Sequence, residues 1–277
     1  MGIKDLLVYA DNSSEVGARF EVGARVAQTH GAHLTGLFVI TPPYIPVYAE
    51  AQIPMEILQQ QQEIAQDNAA KVEKIFTDVT KKYEISAEWR TDEGDLLTTV
   101  NTHARYFDLV ILPQDNPDES DLVPAGIADK ALLDCGRPIL VIPYIGAPEV
   151  IGERVLIAWN ARREAARAIN DALPLIMNAK EAKVLSIDPK SGPNGHGDIP
   201  GADICLHLAR HGISAEARQT VSKEVNVGDA ILSAAADDGA DLIVMGGYGH
   251  ARIREVVLGG ATRHILKHMT VPVLMSH

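Results

Sequence analysis

At 277 residues the chain is long for one hydrophobic core and comfortable for two domains of about 100 to 150 residues each. The 46% apolar share contains no run near the roughly 20 residues a membrane helix needs. The net charge of −12 argues against nucleic acid as a partner. Met1-Gly2-Ile3-Lys4-Asp5 runs directly into a strand-like stretch, so no secretory leader is visible and the cytoplasm is the expected compartment. The two cysteines, Cys135 and Cys205, stand alone in different halves; they support neither a disulfide framework nor a metal knuckle, and both read as small buried residues.

In chain order, short continuous apolar runs alternate with longer stretches of helical period, the pattern of strands buried on both faces in a parallel α/β sheet. Strands are expected near 4–10, 34–40, 85–90, 107–113 and 138–143, with helices near 14–30, 55–82, 95–105 and 125–135. The stretch from Glu56 to Lys82 has no proline and much Gln, Glu, Ala and Lys, which predicts one long helix. After the linker Ile145-Gly146-Ala147-Pro148-Glu149, strands are expected near 153–159, 182–188, 213–219, 240–246 and 271–276, with helices near 163–178, 200–211, 227–238 and 260–269. Two segments interrupt this plan. Thr41-Pro42-Pro43-Tyr44-Ile45-Pro46 predicts an exposed loop, and Pro189 to Pro200 is polar and placed to act as a lid or as a loop without a role.

The second half repeats the first at a spacing of roughly 134 to 149 residues, a duplicated domain and not a solenoid period. Leu6-Leu7-Val8-Tyr9-Ala10-Asp11 pairs with Val155-Leu156-Ile157-Ala158-Trp159-Asn160, and Gly94-Asp95 with Gly228-Asp229. Arg137-Pro138-Ile139-Leu140-Val141-Ile142 pairs with Val271-Pro272-Val273-Leu274-Met275. The domains are drawn at 1–146 and 151–277. Charge divides unevenly between the halves: residues 1–150 hold 11 Lys/Arg against 23 Asp/Glu, and residues 151–277 hold 14 against 14.

The glycine pattern lies in the neutral half. Gly246-Gly247-Tyr248-Gly249, nine residues, then Gly259-Gly260-Ala261-Thr262 follows the strand-like Leu242-Ile243-Val244-Met245 and precedes a helix. Glycines let backbone N–H groups approach an anion, and a helix N-terminus adds unpaired donors. Arg252, Arg254 and Arg263 lie inside or beside the pattern, and His250 sits within it. The chain has no Gly-Lys-Ser/Thr, no G-x-G-x-x-G after either first strand and no G-x-S-x-G, which excludes a Walker loop, the dinucleotide fingerprint and the nucleophile elbow. The matching stretch of the first half reads Asp115-Asn116-Pro117-Asp118-Glu119-Ser120-Asp121, which would repel a polyphosphate.

The remaining pattern, G-x-x-G-x9-G after a fourth strand, resembles the universal stress protein family, and the duplication resembles its tandem members. The resemblance covers essentially the whole chain. It implies two Rossmann-like domains of the HUP type (adenine nucleotide alpha hydrolase-like), each a five-stranded parallel sheet with helices on both faces. It implies ATP, ADP or AMP as ligand, with or without Mg. Met245, Gly246, Gly249, Gly259, Gly260, Ala261 and Thr262 fall on the phosphate and ribose side, His250 and Arg252 beside them, and Asn160 and Ile187 on the adenosine side. Two departures stand out. The family has Ser or Thr where this chain has Gly260, leaving Thr262 as the nearby hydroxyl, and an acid where it has Asn160. In the first half, Pro113-Gln114-Asp115-Asn116 and Pro124-Ala125-Gly126-Ile127-Ala128 have lost two of three glycines, so no ATP is expected there. The resemblance also implies that the last strands, Ile139 to Ile142 and Val273 to Met275, can pair within one chain as they do between single-domain copies; a further homodimer is left open.

His264 with His268, and His207 with His211, lie one helical turn apart, but no third ligand is fixed, so exposed helix histidines and no metal are expected. Asp95 and Asp229 read as early-turn helix acids. Trp159 reads as packing or an adenine-side wall. No acid pair and no nucleophile with its base stands out, which leaves no catalytic residue assigned. Three functions stay open: a nucleotide-binding stress regulator with little or slow turnover, a partner-binding scaffold, and a slow ATPase or autokinase with Thr262 or a neighbouring hydroxyl as acceptor.

Overall fold

The computed structural model describes residues 2–42, 54–119, 125–189, 199–222, 226–248 and 260–277. The first half holds strands β1 (Asp5–Ala10), β2 (His33–Ile40), β3 (Ala87–Glu93), β4 (Leu109–Pro113) and β5 (Ile139–Ile142). Its helices are α1 (Val16–His30), α2 (Met55–Lys82), α3 (Leu96–Ala104) and α4 (Ile127–Asp134). The second half repeats the order with β6 (Arg154–Ala158), β7 (Glu181–Ile187), β8 (Ala215–Thr220), β9 (Leu242–Gly246) and β10 (Val273–Ser276). Among them lie α5 (Arg163–Ile176), α6 (Ala202–Arg210), α7 (Val227–Asp237) and α8 (Gly260–His268).

All ten strands form one sheet in the order β3-β2-β1-β4-β5-β10-β9-β6-β7-β8. Pairing is parallel within each half and antiparallel where β10 meets β5, with Leu274 opposite Leu140. The strand pairing expected between the two copies is therefore made inside one chain, and it hides two all-apolar strands, Ile139-Leu140-Val141-Ile142 and Val273-Leu274-Met275, that would otherwise be open edges. The actual edges β3 and β8 are polar: Glu88, Arg90 and Asp92 on one, Glu216, Arg218 and Gln219 on the other. They also run later than the sequence suggests, because main-chain pairing such as Val39 with Asp92 continues where the apolar signal has ended.

Two cores result, one per face. One joins α1, α2, α5 and α6 through Phe20, Phe76, Ala168 and Leu208; the other joins α3, α4, α7 and α8 through Val100, Leu132, Ile231 and Ile265. Gly36 is a steric necessity on the first face, since a Cβ there would lie 2.7 Å from the Trp89 ring. Cys135 is buried as expected, whereas Cys205 is only half-buried. Among the described residues no helix is long and apolar enough to cross a membrane.

Candidate functional site

In the second half β6 lies between β7 and β9, so the chain leaves β6 towards one side of the sheet and returns on the other. Ligands of such sheets bind beyond the carboxyl ends of the strands at that switch point. Four elements of the expected site converge there: Asn160 after β6, Ile187 at the end of β7, Gly246 at the end of β9 and Gly260-Ala261-Thr262 opening α8. Gly249, His250, Arg252 and Gly259 lie outside the described residues.

Each local conformation has a chemical reason. Asn160 Oδ1 accepts the Arg162 N–H at 3.1 Å, an Asx turn that carries the chain through Ala161 at φ +56° into α5. The Asn160 side chain is exposed. Gly246 admits no side chain: a Cβ would lie 2.5 Å from the Ala165 backbone N and 2.6 Å from the Glu164 carbonyl carbon. The first turn of α5 thus lies directly against the end of β9. Glu164 in that turn is buried; burial pushes its carboxyl up, but the hydrogen bond from Arg163 Nε at 2.6 Å helps to hold it below its ordinary range.

The next two residues are fixed from several sides. Gly247 N–H donates to the Ser276 carbonyl at 2.9 Å. Tyr248 takes φ +55°, its N–H donates to Thr262 Oγ1 at 3.3 Å, and its hydroxyl donates to the Asp129 carbonyl at 3.4 Å. Asp129 belongs to the first half, and so does Leu132, whose side chain fills the space a Cβ on Gly247 would need.

Several expectations change on this geometry. Thr262 is only 3% exposed and its oxygen braces Tyr248, so it is not a free hydroxyl, and it is not placed as a phosphoryl acceptor. Met245 buries its side chain in the core and offers the site only main chain. By contrast a Cβ on the exposed Gly260 would meet nothing within 4 Å among the described residues, so none of these excludes the hydroxyl missing there. Asp95 caps α3, accepting the Thr98 N–H at 2.9 Å, and Asp229 is the acid of the first turn of α7, which Asn226 caps. Asp229 also accepts from His264 Nε2 at 2.6 Å, so His264 is a half-buried partner of an acid and not a free surface residue. Among the described residues no group of three or more His, Cys, Asp or Glu could hold a metal ion.

The equivalent place in the first half is occupied by the protein's own groups. Asp11, the counterpart of Asn160, is buried and paired with Arg19 at 2.7 Å, while the counterpart of Arg19 is Ala168. Both Asp115 carboxylate oxygens accept the Gly126 N–H at 2.8 and 2.9 Å, at the start of α4 where a ligand's anion would otherwise sit. Glu119 takes the Ser14 hydroxyl at 2.6 Å. The cavity among Ser13, Arg19, Gln114, Asn116 and Glu119 measures about 20 Å³, room for about one water. The sequence pointed to acids here, but not to their hydrogen-bond partners.

The family model described as the universal stress protein family matches residues 153–277. A universal stress protein of Synechocystis is 41% identical over 46 residues, and one of Methanocaldococcus jannaschii is 36% identical over 47 residues. These matches span 16% and 29% of those relatives' lengths. The crystal structure of a universal stress protein from Archaeoglobus fulgidus aligns over 98% of this chain and 97% of its own, at 16% identity and a TM-score of 0.75. A functionally unknown protein from Pseudomonas aeruginosa PAO1 aligns over 99% and 92%, at 16% identity and a TM-score of 0.59. At such identities the structural likeness speaks for the fold.

Proposed function

We propose that the chain, whose residues 153–277 match the universal stress protein family, is a member of that family and a cytoplasmic stress-response regulator that binds one adenine nucleotide, in its second half. The observation that carries this reading is the convergence of Asn160, Gly246 and the α8 N-terminus at the sheet's switch point, within a G-x-x-G-x9-G pattern. Asn160 and the end of β7 at Ile187 would receive the adenosine. Gly246, Gly249, Gly259, Gly260 and Ala261 would receive the phosphates through main-chain N–H groups, with Arg252 and His250 nearby; Mg would shield the phosphate charge when bound. The first half would bind none, its donors and its acid being paired internally.

Turnover, if present, is slow in this reading. Among the described residues no base aligned with a nucleophile stands at the strand ends, and Thr262 is buried. The test is to purify the protein, release any bound nucleotide by heat, chromatograph it, and repeat with Gly249→Val. A β-branched side chain would intrude on the phosphate path and abolish retention. A wild type that carries no adenine nucleotide and gains no thermal stability from millimolar Mg-ATP would favour the scaffold function instead.

A further inference from the structure

We infer that helix α4 of the first half is a wall of the second half's nucleotide site, with Leu132 and Asp129 as positioning residues that set its affinity; this rests on the nucleotide reading above. The contacts cross from one half to the other. Leu132 is 3% exposed and packs on the α-carbon side of Gly247, so that a Cβ there would fall inside its Cδ2 and lie 3.3 Å from its Cγ. Tyr248 stands in the left-handed region, which a tyrosine adopts only when its surroundings hold it. Its ring is tethered to α4 by the hydroxyl bond to the Asp129 carbonyl, and its N–H to α8 by Thr262.

On its other side α4 has space. A cleft of about 340 Å³ separates it from α8, lined by Ala128 and Asp129 on one side and by Arg263, Leu266 and Lys267 on the other. Among the described residues the charge contact across it is loose, Arg263 Nε to Asp129 Oδ2 at 4.0 Å, and Asp129 Oδ1 is buried without a hydrogen-bond partner. Besides its packing on α3, β4 and β5, α4 therefore meets the second half at Gly247 and Tyr248, and those two residues lead out of β9 into the phosphate pattern. Gly247 is a glycine because Leu132 is large. This gives the first half a role although its own site is filled.

Size compensation tests the inference. ATP affinity is measured by calorimetric titration for wild type, Leu132→Ala, Gly247→Ala, the double variant, Leu132→Met and Leu133→Ala, each shown to melt cooperatively. Leu132→Ala and Gly247→Ala should each weaken ATP binding at least fivefold. In the double variant the new methyl occupies the vacated space, and affinity should return to within about twofold of wild type. Leu132→Met conserves volume, Leu133 is 43% exposed on the same helix, and both variants should bind as wild type does. If wild type binds ATP and Leu132→Ala binds equally well, or the double variant is no better than Gly247→Ala, the wall is overturned while the nucleotide reading stands. If wild type binds no ATP, the nucleotide reading fails and this inference falls with it.

Discussion

Adding one methyl group at Gly246 and one at Gly260 should have opposite effects, although both residues belong to the same glycine pattern. At Gly246 the new Cβ would lie 2.5 Å from the Ala165 N and 2.6 Å from the Glu164 carbonyl carbon. Overpacking that side chains can relieve costs about 1–3 kcal/mol, and these obstacles are main-chain atoms at the start of α5, which cannot rotate away. Gly246→Ala should therefore cost about 3 kcal/mol. At Gly260 the Cβ meets nothing within 4 Å among the described residues, and the residue opens a helix, where alanine is preferred to glycine by up to about 1 kcal/mol. Gly260→Ala should be neutral or stabilising. Equilibrium urea unfolding read by circular dichroism measures both, with the slope m serving as the check that only stability has changed. Equal midpoints for the two variants, or a Gly246→Ala protein as stable as wild type, would refute the close approach of α5 to β9.

Gly260→Ser puts a hydroxyl where the family carries one, and a hydrogen bond to a charged group is worth about 1.5–3 kcal/mol, so ATP should bind about 10- to 100-fold more tightly by calorimetry. Arg19→Met leaves the Asp11 carboxylate buried without its partner and should cost about 3–5 kcal/mol, most of it recovered in Arg19→Met/Asp11→Asn, as read by thermal melts. Burial pushes the Asp129 carboxyl above its ordinary range, against the pull of Arg263. Because the folded pKa is raised, ionisation opposes folding above that pKa, and the penalty fades as pH falls through the folded and then the unfolded value. Asp129→Asn should accordingly stabilise the protein near neutrality and lose that advantage in acid, measured as the difference in melting temperature from pH 7.5 to pH 3.5.

The frame of the molecule was readable in its apolar runs. Leu6 to Asp11 and Val155 to Asn160 announce equivalent central strands, and Ile139 to Ile142 and Val273 to Met275 announce two more buried strands, whose pairing rests on the family resemblance and whose antiparallel sense only the structure shows. Strand ends were less readable at the edges, since Thr91, Asp92 and Glu93 pair with β2 without any apolar signal. For the site, the sequence indicates which residue types gather at the strand ends but not how they are held. Thr262 looks like a spare hydroxyl until its bond to Tyr248 is seen, and His264 looks free until Asp229, 35 residues earlier, meets it. Leu132 lies 115 residues before Gly247, and nothing in an α4 sequence rich in Ala, Leu and Asp marks it as part of a wall. Such contacts depend on the packing of the two halves, which no local pattern records.

The central claim is a single nucleotide site in a protein with two copies of one fold. Calorimetric titration of the nucleotide-stripped wild-type chain with Mg-ATP tests it most directly. The account predicts one ATP bound per chain, with binding lost in Gly249→Val and unchanged in Asp115→Asn. A stoichiometry of two, or binding that survives Gly249→Val, would contradict it.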